Sequence, residues 1–110
     1  MVFDGIRKQL AFIQLADSKG DIYQPTSGKK GLVHQIILHN TNTAEESIIL
    51  YLHDGVNEYK LWKIPLPVDE TVVLDFVGEG LVVKNGAKLT GYTTTAAKVT
   101  CYVSGTEETE

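Results

Sequence analysis

The chain has 110 residues and a mass of 12.1 kDa, the size of one ordinary folding domain. Its 10 lysine and arginine residues against 14 aspartate and glutamate residues give a net charge of −4, without the basic excess that non-specific nucleic-acid binding requires. No apolar run approaches the roughly 20 residues of a membrane span, and the first residues lack the pattern of a secretory leader. We therefore expect one soluble domain that binds neither nucleic acid nor membrane and is not exported by a cleaved leader.

The N-terminal stretch fits two kinds of structure. Its apolar residues recur at helical spacing, at Phe3, Ile6, Leu10 and Ile13. The run Gln9–Ala16 also suits a strand that ends at the following turn. We predict an arm over residues 1–9, followed by a strand from Leu10 that opens a single domain over residues 10–105.

Short runs of β-branched and aromatic residues then alternate with turn residues at intervals of roughly 8–12 residues, which favours an antiparallel sandwich or barrel. The clearest runs are Gly31–Asn40, Glu46–Asp54, Asn57–Ile64, Thr71–Phe76, Leu81–Lys84, Ala87–Thr93 and Lys98–Ser104. The dipeptides Asp54-Gly55 and Asn85-Gly86 match the tight turns of hairpins.

Two further segments stand outside the strand pattern. Ile64–Glu70 contains two prolines, which lack the amide donors of a central strand, so we predict an edge strand or a crossing between two sheets. Residues 106–110 are acidic and unpatterned, which is typical of a solvated, fraying tail.

Several strands carry apolar side chains on both faces, although an antiparallel sandwich normally exposes one face of each sheet to water. In Glu46–Asp54, for example, Ile48 and Leu50 alternate with Ile49 and Tyr51. We expect the second face to be covered, by other copies of the chain in our preferred interpretation or by the arm or a loop of the same chain in the alternative. Alternation does not say which face is the core. The candidate contact residues are Val33, Ile37, Ile49, Tyr51 and Trp62, with Phe3 and Ile6 as anchors in the arm.

The histidines do not predict a metal site. His34 and His39 point to opposite faces of one strand because they are five residues apart. A hairpin that pairs Ile36 with Leu50 would bring neither of them to His53. We expect no metal.

The remaining candidates for chemistry are equally weak. Cys101, the single cysteine, lies in an alternating strand without a cationic neighbour, which predicts a buried, inert thiol and excludes an internal disulfide. The Gly78-Glu79-Gly80 segment leads into a strand rather than a helix, so it does not fit a dinucleotide site. The carboxylates are scattered over turns. We therefore predict no enzyme activity and no cofactor.

The order of segments from residue 21 onward carries a resemblance. DIYQPTSGKKGLVHQIILHNTN contains an opening strand, a proline break and a Gly-Lys turn, and ESIILYLHDG provides a partner strand. IPLPVDETVVLDF supplies a proline crossing, and GLVVKNGAKLTGYTT with KVTCYVSGTEE supplies closing hairpins. This layout, over about three quarters of the chain, resembles that of small structural proteins of tailed bacteriophages.

The resemblance implies an all-β antiparallel β-sandwich of jelly-roll type with a short N-terminal arm. It implies a non-enzymatic virion protein, assembled in the host cytoplasm, that serves as capsid decoration or cement or as a head- or tail-associated subunit. Such a protein would form a homo-oligomer, commonly a trimer, and bind a major capsid or tail protein. No catalytic or ligand residue carries over from the resemblance.

The alternative function is a carbohydrate- or receptor-binding β-sandwich module. Aromatic rings stack well on sugars, and an exposed Trp62 with neighbouring tyrosines would line a shallow groove. The aromatic residues of the strands are also typical of a core or a protein interface.

Overall fold

The computed structural model describes residues 8–109, which form nine strands and no helix. None of these residues therefore belongs to a helix that could cross a membrane. The strands are β1 (Lys8–Gln14), β2 (Gly20–Tyr23), β3 (Lys29–Asn40), β4 (Glu46–His53), β5 (Glu58–Leu66), β6 (Thr71–Asp75), β7 (Leu81–Val83), β8 (Lys88–Tyr92) and β9 (Val99–Thr109).

The strands pair in a nested order. β4 pairs with β5, β3 with β6 and β7, β2 with β8, and β1 with β9, all antiparallel. The chain is thus one long folded hairpin, rolled up so that β9 also pairs with β3 and β8 with β4. Sheet A has the order β1-β9-β3-β6, with β7 on the same side of β3 as β6, and sheet B has the order β2-β8-β4-β5. This arrangement confirms the predicted all-β sandwich of jelly-roll type.

The turn dipeptides behave differently from one another. Asp54-Gly55 joins β4 to β5 in a hairpin, as predicted, with Gly55 at a φ of 102°. Asn85-Gly86 instead connects β7 in sheet A to β8 in sheet B, so the predicted hairpin there is wrong. The turn residues allow the chain to reverse, but packing decides whether it stays in the same sheet.

The chain also changes sheets between β3 and β4. The hypothetical pairing of Ile36 with Leu50 is therefore wrong, because the two strands lie in opposite layers. The segment with two prolines, Ile64–Glu70, begins in β5, which is an edge strand of sheet B. Its second half then crosses to β6 in sheet A. Both predicted roles of that segment are confirmed.

The core lies between the sheets and depends on a bulge in β3. The register shifts between Val33 and Gln35, so strict alternation is broken there. As a result Val33 joins Ile36 and Leu38 in the core, each with no exposed surface. The prediction that Val33 lies on a covered outer surface is wrong for this reason.

Glu107 holds the C-terminal part of β9 in place. The Tyr23 hydroxyl donates a hydrogen bond to the Glu107 carboxylate at 2.5 Å, and the Thr26 hydroxyl donates another at 3.0 Å. Tyr23 reaches across from sheet B over Gly31, where any Cβ would collide with the phenol ring. The predicted fraying tail is therefore wrong over residues 106–109, which are strand, because its acidic group has partners distant in sequence. Glu110 lies outside the described residues.

One end of the sandwich is closed by buried polar groups. Asn40, fully buried, donates from Nδ2 to the carbonyl oxygens of Ala44 and Leu66, both at 2.9 Å. These bonds tie the crossing after β3 to the end of β5. Within residues 8–109, no buried side-chain nitrogen or oxygen lacks a hydrogen-bond partner.

Glu46 is the buried carboxylate at this end, with 1% of its surface exposed. It accepts hydrogen bonds from Asn42 Nδ2 at 2.9 Å, Thr93 Oγ1 at 2.9 Å and the Thr95 amide at 2.8 Å. Burial on its own would raise the pKa of Glu46, but these hydrogen bonds outweigh it and lower the pKa below the ordinary value.

The lowered pKa of Glu46 predicts acid sensitivity. A carboxyl group with a lowered folded-state pKa stabilises the fold above its unfolded pKa of about 4.3 and loses that contribution as the pH falls through the folded value. We expect Glu46→Gln to lower stability at neutral pH by about 1–3 kcal/mol, because an accepting oxygen becomes an amide donor. It should also flatten the acid side of the profile of melting temperature against pH.

The matched control is Glu45→Gln, which alters the exposed neighbouring carboxylate. Thermal unfolding followed by circular dichroism from acidic to neutral pH measures both variants. Equal melting temperatures for the two variants at neutral pH would contradict this role of Glu46.

A second prediction concerns the contact between Tyr23 and Glu107. Tyr23→Phe keeps the packed ring but removes the hydroxyl donor, so we expect a loss of about 1 kcal/mol. Amide hydrogen exchange in residues 106–109 should become faster, while the rest of sheet A keeps its protection. Tyr59→Phe, at a half-exposed ring, is the control and should change neither quantity. Unchanged exchange in Tyr23→Phe would show that something else orders the strand end.

Candidate interaction surface

The outward face of sheet B is charged. Lys19 is paired with Glu58, which also accepts a hydrogen bond from Thr90 Oγ1 at 2.6 Å. Lys88 Nζ lies 2.9 Å from Asp21. Solvent screens such exposed ion pairs, so they contribute little to stability and their main consequence is a well-hydrated face.

Two of the predicted contact residues lie on this charged face. Tyr51 stacks on Tyr92 with ring centroids 6.4 Å apart, and Lys19 Nζ lies 4.2 Å from the centroid of the Tyr51 ring. Ile49 is the register partner of Tyr92 on β8. Ile49 and Tyr51 are thus half-buried by neighbours of their own sheet.

The outward face of sheet A carries a row of apolar side chains that crosses four strands. Phe12 is the register partner of Tyr102, Tyr102 of Ile37, and Ile37 of Val73. We call these four residues the apolar row. Phe12 is 59% exposed and Val73 45% exposed, and the Phe12 ring meets that of Tyr102 edge-on at 5.6 Å between centroids.

The rows on either side of the apolar row are polar but almost uncharged. One consists of Gln14, Thr100, His39 and Thr71, and the other of Gln9, Ser104, Gln35 and Asp75. Asp75, the one carboxylate in these two rows, accepts a hydrogen bond from Gln35 Nε2 at 2.9 Å. We call the apolar row and its two flanking rows the neutral face.

The neutral face and the outward face of sheet B therefore suit different surroundings. The cores of protein interfaces are depleted in charged residues and enriched in aromatic ones. The neutral face has this composition, with exposed aromatic and aliphatic groups between polar rows in which Asp75 is the one carboxylate. The outward face of sheet B, with its lysines and carboxylates, has the composition of a surface that stays in water.

The structure distributes the predicted contact residues over different surroundings. Ile37 belongs to the apolar row, whereas Ile49 and Tyr51 lie on the opposite side of the molecule. The Trp62 ring is half-buried against the core, 5.7 Å from the Phe76 ring between centroids. Phe3 and Ile6 lie outside the described residues.

Three members of the apolar row were not among the predicted contact residues. Tyr102 lies between Cys101 and Val103, so an inward assignment of those two would have placed its ring outward. Phe12 was obscured by the helical spacing of its neighbours. Val73 lies in a run of consecutive apolar residues, in which alternation gives no direction.

The titratable side chains form no shared centre in the described region. Within residues 8–109, no group of three histidine, cysteine, aspartate or glutamate side chains is arranged to hold a metal ion. His39 contacts Thr71 Oγ1 on the neighbouring strand at 2.6 Å and Asp69, in the turn before β6, at 3.3 Å. Cys101 has no exposed surface, and burial raises the pKa of its thiol to about 12. The predicted buried thiol is confirmed.

Comparisons with solved structures find the same fold in a virus. A chain of the naturally occurring empty top-component particles of cowpea mosaic virus matches 100% of this chain and 88% of its own length, with a TM-score of 0.50 and 12% identity. A pentameric capsid protein isolated from metagenomic phage sequences matches 86% of this chain and 61% of its own, with a TM-score of 0.37 and 14% identity. No family model and no curated protein matches the sequence. The cowpea mosaic virus likeness shows a shared fold.

The burial of Cys101 predicts a thiol that does not react in the folded protein. We expect its modification by a soluble disulfide reagent at mildly alkaline pH to be more than about 100-fold slower in buffer than in concentrated guanidinium chloride, because reaction requires opening of the core. Absorbance of the released thiolate measures both rates. Similar rates in the two solutions would contradict the burial.

Proposed function

We propose that this chain is a non-enzymatic structural protein of a virus particle, which acts by burying surface against other protein subunits. The neutral face of sheet A is the observation that carries the proposal. Its apolar row is too exposed and too poor in charge for a surface adapted to water alone. The fold shared with a chain of cowpea mosaic virus particles supports the same class of function.

The apolar row can supply enough free energy for association in a multi-copy particle. Burial of apolar surface contributes about 25 cal/mol per Å², so covering roughly 200–300 Å² on this face would contribute several kcal/mol. Much of this is offset by the loss of translational and rotational freedom. Such a contact is weak between two free copies and becomes strong where one subunit makes several contacts at once.

The difference between the two outward faces suggests an orientation on the particle. In our proposal the neutral face lies against neighbouring subunits or the particle, and the charged face of sheet B meets solvent. This arrangement suits a phage capsid decoration or cement protein, or a head- or tail-associated subunit, bound to a major capsid or tail protein in the virion. The trimer implied by the resemblance and the anchoring role of Phe3 and Ile6 belong to this proposal.

A carbohydrate- or receptor-binding module is the second candidate. Its support is the stacked Tyr51 and Tyr92 pair with the Glu58 carboxylate nearby on the same face. Trp62, on which the sequence-based version depended, packs against Phe76 instead of lining a groove. Binding on a glycan array that Tyr92→Ala abolishes would favour this candidate.

The proposal predicts that a charge in the apolar row weakens association through the neutral face. Val73→Glu adds a carboxylate to a half-exposed position of the row, and its desolvation in a contact is unfavourable. We expect light scattering at high protein concentration to give an average mass above 12.1 kDa for the unaltered chain and a lower average mass for this variant. Val56→Glu, at an 82% exposed turn position, is the control and should leave the mass unchanged.

An unaltered chain that stays monomeric at every concentration, and that binds glycans through the Tyr51 and Tyr92 pair, would overturn the structural proposal in favour of the second candidate. An equal drop in mass for both glutamate variants would show a general effect of added charge and would count against the neutral face.

A further inference from the structure

The free edges of the two sheets differ in how well they are protected against pairing with another strand. β5 carries Lys60, Lys63 and Pro65, which discourage the addition of another strand. β2 has 4 residues, and the opposite edge of sheet A is divided between the short strands β6 and β7. β1 is longer, with 7 residues and no proline, and Lys8 at its start is its one charged residue. Its bulge at Leu10 lies near this start and leaves the stretch from Ala11 to Gln14 in regular register. In the part of the chain that the structure describes, β1 pairs on one side alone, with β9.

β1 also presents apolar side chains on both faces of sheet A. Its Phe12 is the terminal and most exposed member of the apolar row. The neighbours Ala11 and Ile13 point to the other side and pack partly against the core. A strand added beside β1 would therefore extend the core on one face and cover Phe12 on the other.

We propose that β1 pairs with β1 of a second copy, antiparallel about a two-fold axis at Phe12, so that the two copies of sheet A become one continuous sheet. This inference rests on the proposed function, because it names the partner and the surface for self-association. The open amide and carbonyl groups of the β1 edge would then be hydrogen-bonded, and the two apolar rows would join into one.

The composition of β1 makes it complementary to its own copy. With the axis at Phe12, each Phe12 ring faces its counterpart, and Ala11 of one copy lies opposite Ile13 of the other. Lys8 lies beyond the bulge at Leu10, so it faces the residues that follow Gln14 of the neighbouring strand and meets no like charge. A two-fold contact uses the same surface on both copies and is complete with two of them. It leaves the rest of the neutral face free for the contacts of a larger particle.

Cysteine cross-linking in the full chain tests this register. In Phe12→Cys the two new thiols would lie on the axis with their Cβ atoms about 5 Å apart, within reach of a disulfide or a short bifunctional thiol reagent. The native Cys101 is buried and contributes no background. We expect mild oxidation to convert most of the protein to a covalent dimer at concentrations where the unaltered chain is dimeric.

Two control variants give the result its meaning. Gln14→Cys lies on the same face of β1, but its counterpart would be about 13 Å away along the neighbouring strand. Val77→Cys is 94% exposed in the loop between β6 and β7. Both should cross-link at least about tenfold more slowly than Phe12→Cys. Equal rates for the three variants would indicate random collision and overturn the inference.

Light scattering separates this inference from the proposed function. Phe12→Lys would place two ammonium groups on the axis and should abolish the dimer, whereas Phe12→Leu should retain it. An oligomer that persists in Phe12→Lys and is not cross-linked through Phe12→Cys would overturn the β1 contact and leave the proposed function standing. A monomeric unaltered chain would count against both.

The Phe12→Cys variant also tests whether residues 1–7, rather than a second copy, occupy the β1 edge. If Phe12→Cys cross-links after residues 1–7 are deleted and not in the full chain, that segment covers β1 and the inference is wrong. Equal cross-linking with and without residues 1–7 supports the pairing of two β1 strands.

Discussion

The insertion of β9 between β1 and β3 is the constraint on which the rest of the molecule depends. β9 brings Val99, Cys101 and Val103 into the core and Tyr102 into the apolar row on the other face. At Gly105 its backbone passes so close to Leu32 that any Cβ would collide with the Leu32 carbonyl oxygen, which places a glycine opposite the bulge of β3. Without this strand, sheet A would divide into separate pieces and the neutral face would not exist.

The same strand explains why a chain of this size can combine stability with an exposed apolar surface. Alternation along β9 directs one set of side chains into a fully buried core and the other toward the outside. Hydrogen-bonded neighbours on both sides hold the outward set in register, so Tyr102 and Ile37 are presented on a rigid sheet. A contact surface built on paired strands loses little conformational freedom on association, which favours binding by a modest apolar area.

The local sequence pattern predicts most of the strands. It does not predict features that depend on contacts between residues distant in sequence. The strands, the proline crossing and the Asp54-Gly55 hairpin depend on alternation and turn residues, which are visible over a few positions. The bulge that turns Val33 inward depends on the partner strand, and the end of β9 pairs with β3 and contacts Tyr23 from the other sheet. Neither partner can be identified from the local sequence.

The candidate interaction surface could likewise be predicted in part from local sequence, and the rest depends on contacts between distant residues. A second apolar face on several strands could be predicted, but the sequence could not say which strands share a sheet. Ile37 and Ile49 therefore have equivalent patterns in the sequence, although the structure places them on opposite sides of the molecule. The apolar row becomes visible once the register of β1, β9, β3 and β6 is known, because its members are distant in sequence.

The distribution of protected edges also limits what kind of assembly the sheets can form. A sandwich with two open edges would add copies at both and grow into a fibre. Here the lysines and proline of β5 and the shortness of β2, β6 and β7 leave β1 as the edge best suited to pairing among the described strands. Strand addition through a single self-complementary edge stops at two copies. In our proposal, any further contact between copies uses the side chains of the neutral face.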